Sequence, residues 1–272
     1  MPLVFVPTPL GNLRDITVRA LDTLRESELL VAEDTRVARK LLAALKLPSK
    51  PLRSYREQNA AAATEPILEQ ARKSLVAVVC DAGTPGISDP GTQLIAAARR
   101  NDIAVSVLPG PSAVLGAVVL SGFEVREFTF AGFLPRTRSA RQTAFLHSAQ
   151  RGIGPTVWFE SPHRIHAALR DLATVAPDRL CFVLREYTKL HEQQIVGTAG
   201  EVATALREPV RGEIVLVVEA ERRKPEPRKN FERAADELIG KNQSSAAIAK
   251  ALAHRGYGAR RDLYARIVER KR

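Results

Sequence analysis

The segment AEDTR (32–36) sets two carboxylates and a guanidinium where an apolar strand gives way to a helical pattern. Glu33 and Asp34 can there accept a proton or a hydrogen bond from a bound group. The same residues can do plainer work, with Asp34 or Thr35 capping the helix and Glu33 in solvent, and the two roles can coexist. Around them lie glycine- and proline-rich segments at the ends of predicted strands: PTPLGN (7–12), DAGTPGISDPG (81–91), PGPSA (109–113) and ESPHR (160–164). In an open α/β sheet, ligands bind beyond the carboxyl ends of the strands, where such loops converge. DAGTPGISDPG packs small residues, two prolines and two aspartates into one loop straight after a buried strand. Small residues let backbone groups approach a ligand closely, and proline stiffens the loop.

Other chemistries are not supported. No G-x-G-x-x-G follows a strand, no G-x-x-x-x-G-K-[ST] occurs, and no G-x-S-x-G elbow is present. His163 and His166 are three apart on a predicted helix but have no third ligand, so solvated or capping roles outweigh a metal site.

These loops need a frame. Strands are predicted at 3–6, 28–33, 76–80 and 104–108. A helix capped by Thr17 presents Val18, Leu21 and Leu24 on one face, and further helices span Thr35–Leu45 and Gln93–Arg100. Strands apolar on both faces and alternating with helices predict a mainly parallel sheet covered by helices. Beyond residue 120 come strands at 128–133, 156–160, 180–186, 193–198 and 212–220, with helical runs at 138–149, 162–174 and 199–207. The last two strands are expected to pair antiparallel, giving a mixed α/β domain. The predicted organisation is an α/β chain of two such domains, 1–120 and 121–220, then a linker at 221–230 and a basic three-helix module at 231–272. In that module helices are predicted at Phe231–Ile239, after Ser244 or Ser245, and from about Ala259, resembling a helix-turn-helix.

The chain has 272 residues and a formal charge of +11, with 45% hydrophobic residues, ample for a packed core. Its longest apolar run, Ser112–Leu120, is far short of the roughly 20 residues of a membrane span. The first residues carry no basic leader, so a secretory signal is not expected. Cys80 and Cys181 both lie in apolar runs, which fits buried thiols in a reducing, cytoplasmic setting. The positive charge is concentrated: residues 221–272 carry +8 and the rest only +3. A polyanionic partner fits an arginine-rich tail, among whose residues are Arg222, Arg223, Lys224, Arg228, Lys229, Arg255, Arg260 and Arg261.

PTPLGNLRDIT, AEDTR, CDAGTPGISDPG, PGPSA, FESPHR and RGEIVLVVEA occur in one order between Leu3 and Ala220. Together they resemble the ribosomal RNA small subunit methyltransferase I family of the tetrapyrrole methylase superfamily. GTPGISDPG and ESPHR are specific to that family. The resemblance implies two α/β domains with S-adenosylmethionine, the methyl donor, in the cleft between them, no metal, and a homodimer. It implies 2′-O-methylation of a cytidine in the decoding region of 16S rRNA, on free rRNA or the 30S subunit. By position, donor contacts would be Pro7, Ala82, Gly83, Thr84, Ile87, Ser112, Ala113, Phe159, Glu160, Ser161, Arg185 and Glu186. Arg56, Gln58, Tyr187, Leu190, His191 and Cys80 depart from the family's usual residues.

A ribose hydroxyl is a poor nucleophile, so a base beside it would help. Glu33 and Asp34 are the candidates, with Arg36, Arg164 and Lys189 to orient the RNA or stabilise charge. A small-molecule tetrapyrrole methyltransferase would share the cleft, but its long loop usually reads as a GGDP-type sequence and it needs no basic tail. A non-catalytic rRNA-binding assembly factor would carry a dead donor pocket.

Overall fold

The computed structural model of the chain describes residues 2–88, 91–151, 154–220, 231–241, 243–254 and 257–271. By contacts the chain forms two compact units, Met1–Glu221 and Arg222–Arg272.

The larger unit holds two five-stranded sheets. In the first, β1 (Leu3–Phe5), β2 (Leu29–Ala32), β3 (Leu52–Ser54), β4 (Val76–Val79) and β5 (Val105–Val107) run parallel in the order β3-β2-β4-β1-β5. β1, β2 and β4 are buried throughout, because helices cover both faces. One face packs on α3 (Ala60–Ala71) and α4 (Thr92–Arg100) through Ile67, Leu68 and Leu94. The other packs on α1 (Val18–Glu26) and α2 (Thr35–Ala44) through Leu24, Ala38 and Leu42. Thr17 caps α1 as expected, accepting from Ala20 N–H at 3.1 Å. Its inward face is Ala20 and Leu24, however, and Val18 is exposed. Leu21 packs partly buried against the same core, so of the predicted face only Val18 falls outside it.

The second sheet has the order β6-β7-β10-β8-β9, from β6 (Thr129–Phe133), β7 (Thr156–Glu160), β8 (Leu180–Arg185), β9 (Gln193–Thr198) and β10 (Ile214–Val218). β6 and β7 are parallel and the remaining pairs antiparallel. The last two strands in the chain are therefore not partners: β10 inserts between β7 and β8, leaving β9 at the edge. β10 is buried at all five positions whereas β9 is half-exposed, so the more apolar strand takes the centre. One face packs on α6 (Arg138–Arg151), α7 (Ile165–Val175) and α8 (Ala199–Ala205) through Phe145, Leu169 and Val202. The other is covered by α5 (Ala113–Leu120), whose Val114, Ala117 and Val118 meet Val157, Phe182, Val215 and Val217. α5 thus follows β5 in the chain but packs on the second sheet.

Cys80 and Cys181 are both buried outside any disulfide, and Cys80 Sγ donates to the Ala82 carbonyl at 3.2 Å. Burial pushes Cys181 up to about 12. It should therefore resist alkylation in the native protein at mildly alkaline pH and react once the chain is unfolded. Because the folded value lies above the ordinary 9.0, its contribution to stability is complete below 9.0 and declines as pH rises towards about 12.

In the smaller unit, α9 (Phe231–Ile239), α10 (Ser245–His254) and α11 (Arg260–Arg270) enclose Ala235, Leu238, Ile248, Leu252, Leu263 and Ile267. Asp236 binds Arg270 through two oxygens at 2.6 and 2.8 Å, and Arg266 lies 3.8 Å over the Phe231 ring. The predicted linker 221–230 and Arg255 lie outside the described residues.

Candidate active site

All five strands of the first sheet end at one edge, so the loops after β2, β4, β1 and β5 are neighbours there. Main-chain bonds lace them together. Thr8 and Gly83 exchange N–H···O bonds of 2.9 and 3.0 Å, tying the β1 loop to the long β4 loop. Thr84 Oγ1 donates to the Pro111 carbonyl at 3.0 Å, tying that loop to the segment after β5. Asp34 N–H donates to Asp81 at 3.3 Å, bringing in AEDTR. Gly83 has φ +78°, the left-handed region that favours glycine.

The second sheet offers the matching edge. Antiparallel pairing sets Ile214, the first residue of β10, beside Glu160 and Arg185, the last residues of β7 and β8. Glu160 is fully enclosed and accepts from Ser161 N–H at 2.7 Å and from Arg164 at 2.8 Å. Glu186 accepts from Glu213 N–H at 3.0 Å and Lys189 at 2.8 Å. Burial alone would raise its carboxyl, but hydrogen bonds from Lys189 and Glu213 and the charges of Lys189 and Arg185 outweigh it, leaving Glu186 below the usual range. Gly212 has φ +90°, and a Cβ there would fall 2.2 Å from Glu186 Oε1, so only glycine fits. Two loops meet across the edges: Asn12 N–H donates to Thr188 Oγ1 at 3.2 Å, and the Lys189 stem fills the space above Gly11.

Between these edges lies a mostly apolar cavity of about 320 Å³, a size usual for small-molecule sites. Nine of the twelve residues expected to touch a donor line it: Ala82, Gly83, Thr84, Ile87, Ser112, Ala113, Phe159, Glu160 and Ser161. The other three stand behind the wall. Pro7 packs under Gly110, Glu186 is held as above, and Arg185 buries its Nε without a hydrogen bond. Leu10, Phe133, Tyr187, Gly212 and Glu213 also line the cavity and were not foreseen. Leu10 stands inside PTPLGN, and Tyr187 is one of the departures from the family's usual residues. Phe133 looked like an ordinary strand residue, and the one hint was Gly132 before it: with φ +68° it sits at a break in the β6–β7 register.

A second, polar cavity of about 690 Å³ adjoins, lined by Glu33, Asp34, Tyr55, Arg56, Glu57, Gln58, Asp81 and others. Asp34 caps α2, accepting from Arg36 N–H at 2.8 Å, and pairs with the Arg36 side chain at 2.6 Å and Arg56 at 3.7 Å. The hydrogen bonds from Arg36, foremost its side chain, hold this carboxyl far below the usual range despite some desolvation. Such a carboxylate is a weak proton acceptor. The Glu33 carbonyl accepts from Arg56 Nε at 2.8 Å and from Ser54. Ser88 is the one described residue that lines both cavities.

Arg164 and Lys189 are engaged within the protein. Arg164 donates to Glu160 and to the Leu134 and Pro135 carbonyls at 2.7 and 3.0 Å; Lys189 bridges Glu186 and Glu213. Among the described residues no cluster of three or more His, Cys, Asp or Glu is arranged to hold a metal, and no helix is long and apolar enough to cross a membrane.

Comparison with known proteins bears on this architecture. The family model described as Tetrapyrrole (Corrin/Porphyrin) Methylases matches residues 2–203. Solved structures of diphthine synthase (TM-score 0.61, 80% of this chain and 89% of that one) and of cobalt precorrin-4 methyltransferase (TM-score 0.60, 79% and 93%) share the fold at 16% identity. The chain is 43% identical over 221 residues to the ribosomal RNA small subunit methyltransferase I of Thermotoga maritima, covering 79% of this chain and 97% of that protein. It is 37% identical to the protein of the same name from Synechocystis sp. over 268 residues, 96% of this chain and 95% of that one. The chain belongs to the tetrapyrrole methylase family and, within it, to the ribosomal RNA small subunit methyltransferase I family.

Proposed function

We propose that the apolar cavity holds S-adenosylmethionine and that the chain methylates the ribose 2′-hydroxyl of a cytidine in the decoding region of 16S rRNA. The observation that carries this is the adjacency of two unlike cavities, one apolar and sized for a small molecule, the other polar and rich in carboxylates, meeting at Ser88. The names of the relatives point to small-subunit ribosomal RNA as the substrate.

The residues present fit the donor. Leu10, Ile87, Leu184 and Tyr187 give apolar walls for a nucleoside, and the carboxylate of Glu213 complements a cationic sulfonium or ammonium. The first turn of α5, at Ser112–Val114, opens into the cavity and offers backbone N–H groups to a carboxylate. The donor supplies an electrophilic methyl group without need of a metal. The protein's share is then to hold two partners in line and exclude water. Glu33 takes the proton from the ribose hydroxyl, while Asp34, fixed by Arg36 and Arg56, keeps the AEDTR turn in place. Arg164 and Lys189 act as positioning residues through Glu160, Glu186 and Glu213.

In this reading the chain is a cytoplasmic homodimer, for which Val107 on the edge strand and Leu115 and Val119 on α5 offer an exposed apolar face. The smaller unit, with its excess of basic residues, follows RNA phosphates. Deleting 222–272 should weaken RNA binding, most at low salt, and leave donor affinity unchanged, as filter binding and calorimetry would report. The reading itself is tested by methyl transfer from labelled donor to 30S particles and free 16S rRNA lacking the mark, with the product mapped. Label on one cytidine ribose is expected, and label on neither RNA form overturns the proposal.

A further inference from the structure

Phe133 is a large apolar side chain left 61% exposed at the rim of the donor cavity, at the end of the edge strand β6. The bulge at Gly132 turns it outward, where its ring meets Phe159 edge-on at 5.5 Å. The next three residues are firmly held. Leu134 is buried and donates to the Phe159 carbonyl at 3.1 Å. Arg164 grips the Leu134 and Pro135 carbonyls, and Arg141 grips that of Arg136 at 2.7 Å. An exposed ring on a rigid mount is suited to stacking a planar partner, since little order is lost on contact.

The nearest chemistry is that of Ser88. A Cβ on Gly132 would lie 4.0 Å from Ser88 Oγ, so the mount of Phe133 runs beside the residue that both cavities share. Ser88 has φ +60°, a conformation glycine or asparagine adopts at lower cost than serine. A serine held there implies that its hydroxyl has a use.

The geometry points to an acceptor subsite in which the Phe133 ring stacks on the target nucleobase and the Ser88 hydroxyl hydrogen-bonds its ribose at the junction of the cavities. This rests on the methyl-transfer reading above. A base lying on Phe133 is out of its own stack, so the subsite takes an unpaired or extruded nucleotide. Ser88 and Phe133 line the donor cavity at its open side and act chiefly as positioning groups for the acceptor.

The full chain tests this with three single variants, Phe133→Ala, Phe133→Trp and Ser88→Gly. Donor affinity is measured by calorimetry with S-adenosylmethionine, and single-turnover transfer with 30S particles or 16S rRNA. Phe133→Ala should slow transfer by about tenfold or more, as loss of one stacked base does. Phe133→Trp should restore most of it. Ser88→Gly, which relieves the backbone, should also lose about tenfold in rate while melting no earlier than the parent. Donor affinity should fall by clearly less than the rate in each, since both residues stand where the donor cavity opens toward its neighbour. Unchanged rates in Phe133→Ala and Ser88→Gly would overturn the subsite, and so would a fall in donor affinity that matches the fall in rate. A parent chain that binds donor yet methylates neither RNA overturns the methyl-transfer reading, and the subsite with it.

Discussion

Asp171→Ala should destabilise the larger unit by about 3–5 kcal/mol, lowering Tm by roughly 10 °C. Asp171 on α7 is buried and faces Arg141 on α6, itself buried, with contacts of 2.8 Å to Nε and 2.6 Å to the outer nitrogen. Removing the carboxylate leaves a buried guanidinium without its counter-charge, held only by the Pro135 and Arg136 carbonyls and still charged. The pair itself need not be strongly stabilising, since desolvation offsets its attraction. The cost comes from breaking one half. Arg141→Met with Asp171→Leu should therefore recover part of the loss. Recovery is incomplete because Arg141 also serves the Arg136 carbonyl, which the methionine leaves without its donor. Thermal unfolding of parent, single and double variants checks both points, and an Asp171→Ala chain as stable as its parent refutes them.

Glu33→Gln should slow single-turnover methyl transfer by about a hundredfold, in line with the loss of a general base. Asp34→Asn should cost far less in proton transfer. Its carboxyl titrates well below the usual range, so its charge is present above that low value and is lost only as pH falls through it. An acid limb in the pH–rate profile that comes from the general base should disappear in Glu33→Gln and survive in Asp34→Asn. Equal rates for Glu33→Gln and the parent would remove Glu33 from the chemistry.

The sequence was most legible where local pattern and tertiary demand agree. β1, β2 and β4 are apolar on both sides because they are central in a parallel sheet, and their runs stand out. β3 escaped notice: Leu52–Ser54 is a short edge strand, half-exposed and with an arginine at its centre, and its pairing with β2 decides its conformation. α5 was hidden for the opposite reason. AVLGAVVL has no polar stripe to mark a helix, and it is helical because Ser112 caps it and the second sheet receives it. α3 is similarly quiet, an alanine-rich stretch with Pro66 inside.

For the cavity, glycine and proline motifs marked the loops of the first sheet well. They marked the second edge less well, because Gly212, Glu213 and Tyr187 depend on how β10 inserts between β7 and β8. The roles of Arg164 and Lys189 were legible only in part: Glu160 and Glu186 are local partners, but the other acceptors, Leu134, Pro135 and Glu213, lie in distant segments.

The placement of α5 also has a cost in time. During synthesis it leaves the ribosome as soon as β5 is made, yet Val215 and Val217, against which it packs, belong to β10, the last strand of the unit. Through that interval the sheet it packs on lacks its central strand, and one of the most apolar stretches of the chain is incompletely buried. Contacts so distant in sequence close slowly, and uncovered apolar surface invites association. A nascent chain of this protein is therefore most exposed to misassembly between the completion of its first sheet and that of its second.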